Sequence, residues 1–371
     1  MQSLKILVIG GGIGGLTSAI ALRNKGFDIT VIEKDPNWSV YGVGIIQQSN
    51  AIRAMEQLGL LRDYVEAGVG FDFVEIFAPD GTQVARVPAP SLVEGCPANL
   101  GIGRPALHKL LGDRAIASGA QVRLGVTADA IENGSDGCRV HFSSGDEEKF
   151  DLVIGADGVY SQTRTMVLPR AETPQFTGQS VWRYNFPRPD GLDALQVYNG
   201  PTGAGLVPIS RDLMYMFITT PEPGNPRYPR EGLASAMRGK LSSCAPAIKE
   251  LAEQITDDDS VVYRPLEGML VEGPWHSGRV VLLGDAVHAT TPHLGQGAGM
   301  AIEDSIVLAD ELDKHDSIEN ALSAYRARRF ERCAYIVRAS LAICYGQLGK
   351  GPLMDNYKAT REMFEVTAQP I

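Results

Sequence analysis

The chain has 371 residues, with 34 Lys and Arg against 44 Asp and Glu, for a formal net charge of −10; the length predicts two structural units sharing a core. A pI near 5.2 argues against a nucleic-acid binder and against a protein held on an acidic membrane by a basic face. No apolar run is long enough to span a bilayer, and the 41 glycines gather in loops instead of repeating, which excludes collagen-like and low-complexity chains.

In chain order, the first predicted element is a strand over 4–9 (LKILVI), a continuous apolar run of the kind a strand buried on both faces needs. Glycines interrupt that run, so it does not read as a secretory leader. Gly10, Gly12 and Gly15 then form G-x-G-x-x-G, with Gly14 inside it. LTSAIALRNKG predicts a helix ending at Gly26, and FDITVIEK a second strand closing on Glu33 and Lys34. A strand, glycine turn, helix and strand in this order bind a dinucleotide. Gly10 permits the tight turn, Gly12 lets backbone approach a pyrophosphate, and Gly15 lets helix and strand pack closely. Free N–H groups at the helix start face the phosphates, and Glu33 accepts from ribose hydroxyls. An acid there disfavours a 2′-phosphate, which leaves FAD or NAD.

FVEIFAPDGTQVARV (73–87) predicts a hairpin around Pro79-Asp80-Gly81. DLVIGADGVYSQTR (151–164) is a further apolar strand, then Ala156-Asp157-Gly158 and a polar helix start. Residues 176–267 hold short strand-like runs separated by Pro/Gly loops, plus one helical run, GLASAMRGKLSSCAPAIKELAEQI. They predict a mostly antiparallel sheet with helices on one face. Asp257-Asp258-Asp259 reads as a solvated loop, and no metal site is expected. GRVVLLGDAVHATTPHLGQGAGMAIEDSIVLADEL (278–312) predicts a strand ending at Gly284-Asp285, a loop through Pro292 and Gly295-Gln296-Gly297, and a helix from about Ala298 to Leu312. The last segment has helical periodicity and is expected to pack back on the nucleotide domain. The five cysteines are scattered with no CxxC pair, so neither a zinc site nor a disulfide framework is expected, and a reducing, cytoplasmic setting fits.

GGGIGG with Glu33, DGVYSQTR and GDAVHATTPHLGQGAGMAIED together resemble the single-component FAD-dependent aromatic hydroxylases, the group A flavoprotein monooxygenases, over roughly residues 4–340. GVGIIQQSNAIRAMEQLGL (42–60) is similar to that family's segment after the second strand, with Ser49-Asn50 where Pro-Asn is usual. Arg104 in GRPALHKLL matches its Arg-x-x-Leu helix start. The resemblance implies an α/β fold: a discontinuous Rossmann-like FAD-binding domain over 1–72, 99–175 and 268–330. A mostly antiparallel substrate domain over 73–98 and 176–267 is inserted in it, and 331–371 forms a C-terminal helical segment. It also implies that Gly10, Gly12, Gly14 and Gly15 cradle the pyrophosphate and that Glu33 holds the ribose, with Lys34, Gly44 and Val126 also on the cofactor. Arg104 would meet the phosphate or ribityl region, Asp157 both FAD and NAD(P)H, and Asp285 the ribityl chain. Pro292, Gly295, Gln296, Gly297 and Ala298 would lie against the isoalloxazine.

The chemistry so implied uses NADH or NADPH as a transient donor and O₂ as co-substrate. A flavin hydroperoxide delivers OH to an electron-rich phenolic or N-heteroaromatic acid, and the protein orients the ring and excludes water. The catalytic candidates are His293, Tyr215 and Arg183, with Tyr184, Tyr198 and His288 as further polar groups. Each has a structural alternative: a strand-edge arginine, core tyrosines, hydrogen-bonded loop histidines. Flavin-dependent urate hydroxylases carry an acid where His293 stands, which argues against urate. Two other functions stay open, a reductase or epoxidase of a lipid-like substrate and a non-enzymatic binding protein on the same fold. The expected partner is a small aromatic molecule, with no nucleic acid and no membrane, and the chain a monomer or homodimer.

Overall fold

The computed structural model describes residues 4–200 and 202–371, apart from the side chains of 356 and 357; residues 1–3 of the first predicted domain lie outside it. The Lys5–Ile9 strand sits inside a six-stranded sheet, parallel to Asp28–Glu33 on one side and Leu152–Gly155 on the other. Gln121–Leu124 and Val280–Leu282 extend it in parallel, and His276–Ser277 closes one edge antiparallel. Helices cover the sheet, so the central strand is buried almost throughout and its sequence is apolar without alternation. The Ile13–Asn24 helix packs on the Gly297–Lys314 helix through small side chains. Ser305 Oγ lies 2.7 Å from Thr17 Oγ1 and 3.0 Å from Ser18 Oγ.

A seven-stranded sheet forms the second layer, in the order Val262–Gly268, Gln175–Pro187, Leu213–Pro221, Ala204–Pro208, Leu195–Tyr198, Phe73–Phe77, Gln83–Pro88. Every pair is antiparallel except Leu195–Tyr198 with Phe73–Phe77. The single predicted helical run is split in two, Leu233–Lys240 and Pro246–Ala252, because Pro246 has no N–H to continue a helix and starts a new one instead. These helices cover one face of the sheet over a core containing Trp182, Tyr184, Phe186 and Met237. The other face turns toward the nucleotide domain. There Gly101 admits the close approach, since a Cβ on it would stand 1.9 Å from the Pro208 carbonyl oxygen.

Two small sheets were not anticipated. Ala128–Asn133, Cys138–Phe142 and Glu147–Phe150 form a meander, and Gly44–Gln48, Asn99–Gly103 and Val69–Phe71 a second antiparallel trio. The Ile318–Gln347 helix runs straight through position 331, so the C-terminal helical segment begins earlier than the boundary drawn from sequence. Its Tyr325, Cys333 and Val337, with Met363 of the Asn356–Ala368 helix, join the nucleotide-domain core. All five cysteines are free, and among the described residues no helix is long and apolar enough to cross a membrane.

Candidate active site

The carboxyl ends of the parallel strands and the uncovered face of the seven-stranded sheet enclose a cavity of about 820 Å³. Its nucleotide end is built by the glycine turn. Gly10 has φ +111°, and a Cβ on Gly15 would stand 1.9 Å from the Gly10 carbonyl oxygen, so helix and strand meet only because both are glycine. Gly12 has no neighbour within 4 Å of its would-be Cβ and opens into the cavity. It caps the Ile13–Asn24 helix with no side-chain partner and no acid in the first turn, which leaves the helix-start N–H groups available to an anion. Gly14 lines the cavity beside it.

Glu33 shapes this loop. Its Oε2 accepts from the Gly11 N–H at 2.8 Å and its Oε1 from the Asp35 N–H at 2.9 Å. The Gly11 carbonyl in turn accepts from Trp38 Nε1 and from His108 Nε2, each at 2.9 Å, which fixes the proton of His108 on Nε2. Glu33 therefore stands behind the cavity wall rather than in it. Lys34 is exposed and Val126 packs against the core of the small meander; neither lines the cavity. Asp157 is likewise withdrawn. Its carboxylate accepts from Ser161 Oγ at 2.6 Å and from Thr163 N and Oγ1 at 3.0 Å, closing the turn into the Gln162–Val167 helix, while its neighbours Ala156 and Gly158 face the cavity.

Arg104 begins the Arg104–Ala117 helix and Asp285 the short Asp285–His288 helix, and both side chains reach the cavity. Surrounding protein raises the Asp285 pKa by desolvation, while His288 and Arg104 pull it down. Behind it, a buried charge cluster holds the turn. Asp304 Oδ2 accepts from the Gly284 N–H at 2.9 Å and lies 2.6 Å from His288 Nε2, and Asp304 Oδ1 takes Arg329 Nε at 2.7 Å. Cys333 completes the one His/Cys/acid cluster of metal-binding spacing among the described residues. The arginine already occupies the carboxylate, so the cluster is an ion-pair network rather than a metal site. Pro292, Gly295, Gly297 and Ala298 line the cavity, but Gln296 does not: its side chain is buried on the far side of the turn.

The sheet supplies the opposite wall through Val181, Arg183, Tyr215 and Phe217. The two-residue period decides which side chains face it. Tyr184 alternates into the helix-covered core, and Tyr198 stacks on Phe77 there at 4.4 Å. Arg183 has no hydrogen-bond or ion-pair partner among the described residues. Desolvation, aided by Arg104, lowers its pKa to about 10, so it stays charged at neutral pH. Desolvation raises the Tyr215 pKa against the pull of Arg183 and Arg104, so its hydroxyl stays protonated. Gly44 makes room for that ring, since a Cβ there would stand 2.3 Å from Tyr215 Cδ1.

His293 is not in the cavity wall. Its Nδ1 is 2.9 Å from Thr291 Oγ1 and its Nε2 is 3.1 Å from Gln347 Oε1, so the ring ties the loop to the long helix; burial lowers its pKa to about 4. With both nitrogens engaged it lacks the free lone pair a base toward substrate requires. His288 is wholly buried on Asp304. Sequence reading missed the mouth, where the Arg264 guanidinium lies 4.2 Å from the Tyr41 ring centroid and hydrogen-bonds its hydroxyl. No local signal marks that pair, which is 223 residues apart. The acid triplet is a capping device, in which Asp258 accepts from the Gly232 and Ala234 N–H groups.

A family model described as an FAD binding domain matches residues 3–340. The aurachin C monooxygenase/isomerase of Stigmatella aurantiaca is 33% identical over 94% of this chain and 90% of its own length. The 3-amino-4-hydroxybenzoate 2-monooxygenase of Streptomyces cremeus is 32% identical over 91% of this chain and 86% of its own. The solved structure of HpxO from Klebsiella pneumoniae, complexed with FAD and uric acid, superposes with a TM-score of 0.83 at 27% identity, covering 98% of this chain and 92% of that one.

Proposed function

From the premise that the chain belongs to the FAD-dependent monooxygenases of the aromatic-hydroxylase family, we propose that it hydroxylates a small, anionic, electron-rich aromatic, a phenolic or N-heteroaromatic acid, using NADH or NADPH and O₂. The observation that carries the substrate reading is Arg183, an enclosed and unpartnered guanidinium beside the Tyr215 hydroxyl on the wall facing the nucleotide end.

The cavity fits FAD. The glycine turn leaves space at Gly12 that any side chain would fill, the helix start behind it is uncapped, and Arg104 and Asp285 supply a cation and a hydroxyl acceptor farther along. When bound, FAD would supply the redox chemistry toward the nicotinamide and O₂. The chain's own residues do the rest. Gly12 and Gly14 would present backbone to the pyrophosphate, Asp285 would accept from ribityl hydroxyls, and the Gly295–Ala298 turn would face the ring. Arg183 and Arg104 offset an anionic substrate, and Tyr215 donates a hydrogen bond to it. Two guanidiniums in a desolvated site also lower the pKa of a phenol, which favours the electron-rich phenolate without a dedicated base. That accounts for a cavity wall in which His293 takes no part.

Paired acids and amides of the same aromatic rings test the reading. The acids are expected to perturb the flavin absorption of the holoprotein and to stimulate NAD(P)H oxidation, and their amides to do neither. Equal responses to acid and amide would overturn the anionic substrate class.

A further inference from the structure

Resting on the reading of the cavity as an FAD site, we propose that Gln296 is a positioning residue. Its buried amide holds the Gly295–Gly297 turn in the conformation that faces the flavin, and the Asn356–Ala368 helix braces that amide from behind.

Gln296 separates two residues that line the cavity, yet its own side chain points the other way and is only 2% exposed. A leucine would fill such a place without leaving polar atoms to satisfy, so a buried amide there needs a complete set of partners. The set is present. Gln296 Oε1 accepts from Asn50 Nδ2 at 2.9 Å, and Gln296 Nε2 donates to Asn50 Oδ1 at 3.0 Å, a reciprocal amide pair. The same Nε2 donates to Gln48 Oε1 and lies 3.4 Å from Met363 Sδ. Gln48 returns a bond to the turn, its Nε2 donating to the Leu294 carbonyl at 3.2 Å. It also packs beside Gly295, whose φ of +67° a side chain would strain. The turn is thus clamped from outside by the end of the Gly44–Gln48 strand and the start of the Ser49–Gln57 helix.

The clamp is itself anchored. Asn50 Nδ2 also donates to Glu303 Oε1 at 3.1 Å, and Glu303 pairs with Arg332 at 3.1 Å and Arg329 at 2.7 Å. Arg332 reaches on to the carbonyls of Gln369 and Pro370, and Arg53 to those of Thr367, Ala368 and Gln369. These bonds hold the helix that carries Met363 against the back of the turn, where Met363 is 1% exposed. Among the described residues of that helix, none lines the cavity. Its effect on the cofactor therefore passes through Gln296.

Gln296→Leu, Asn50→Leu, the double variant, Met363→Ala and Met363→Leu test this on holoprotein. The readouts are the FAD dissociation rate, the visible absorption bands of bound FAD and the melting temperature of the apoprotein. Each polar single variant is expected to release FAD about tenfold faster and to shift the flavin bands, as the loss of a buried hydrogen-bonded partner implies. The effect of the double variant should be smaller than the two single effects combined, because the amide pair they share is broken in all three. Met363→Ala should move both flavin readouts in the same direction, and Met363→Leu should leave them at wild type. Unchanged release and bands in Gln296→Leu, with or without a lower melting temperature, would reduce the residue to packing and overturn the proposal. If the polar variants fail to fold, Met363→Ala decides alone by the same readouts. Wild-type protein that takes up no FAD would sink the cofactor reading and this proposal with it.

Discussion

At the scale of single residues, the account rests on two side chains in the cavity wall, Arg183 and Asp285. Removing the Arg183 charge in Arg183→Met should raise the KM for an acidic substrate by roughly tenfold or more, since a charge-assisted hydrogen bond is worth about 1.5–3 kcal/mol. FAD affinity should not change, because Arg183 stands on the sheet wall; titration of apoprotein with FAD checks that half. Asp285→Ala should weaken FAD binding by about tenfold through loss of a hydroxyl acceptor, with little change in melting temperature because Asp285 opens into the cavity. These residues were legible in different degrees. Asp285 follows a buried strand and precedes a glycine-rich loop, a setting that Asp157 shares, although only Asp285 lines the cavity. Arg183 and Tyr184 are adjacent, and only strand register sends one to the cavity and the other to the core. Asp157 and Glu33 sit where ligand contacts were expected, but their oxygens are engaged by the turns they close. Nothing in the residue types distinguishes a carboxylate that binds a ligand from one that caps a loop.

At the scale of elements, the flavin-side loop and the helix behind it carry separate predictions. His293 has its folded pKa lowered to about 4 by burial, below the ordinary histidine value of about 6.5. Between those values the unfolded chain takes up a proton that the folded chain refuses, so this group's contribution to stability is complete above about pH 6.5 and is lost as pH falls toward 4. His293→Gln should flatten that part of the pH–stability curve, which melting temperatures at pH 7 and pH 5 will show. An unaltered slope would mean that the ring titrates as freely as in an unfolded chain. Farther back, Arg329→Met removes the buried cation shared by Asp304 and Glu303 and leaves them only His288 and Arg332, and the expected loss is about 3–5 kcal/mol on denaturant unfolding. The helices themselves were easy to read from glycine and proline punctuation. The network joining them was not, because Asp304 and Arg329 belong to different helices and meet only when those helices pack.

At the scale of the whole molecule, the parallel sheet was legible because a strand buried on both faces must be apolar throughout, and the Lys5–Ile9 and Leu152–Gly155 runs are. The inserted sheet was legible as short strands between Pro/Gly loops. Its one parallel pair, Leu195–Tyr198 beside Phe73–Phe77, was not, since it joins segments 121 residues apart. The 128–150 meander escaped notice because its outward positions are charged and its inner face is short. The cavity exists only where the two sheets meet, so its unpartnered arginine is a property of the assembled chain and of no segment.

The most direct test of the central claim is oxygen transfer from isotope-labelled O₂. FAD-loaded protein is given NADH or NADPH and a panel of phenolic and hydroxypyridine acids, and the products are weighed by mass spectrometry. The account predicts that at least one acid both stimulates nicotinamide oxidation and returns as a hydroxylated product carrying one labelled oxygen. Nicotinamide oxidation that no member of the panel stimulates, or product oxygen drawn from water, would contradict it.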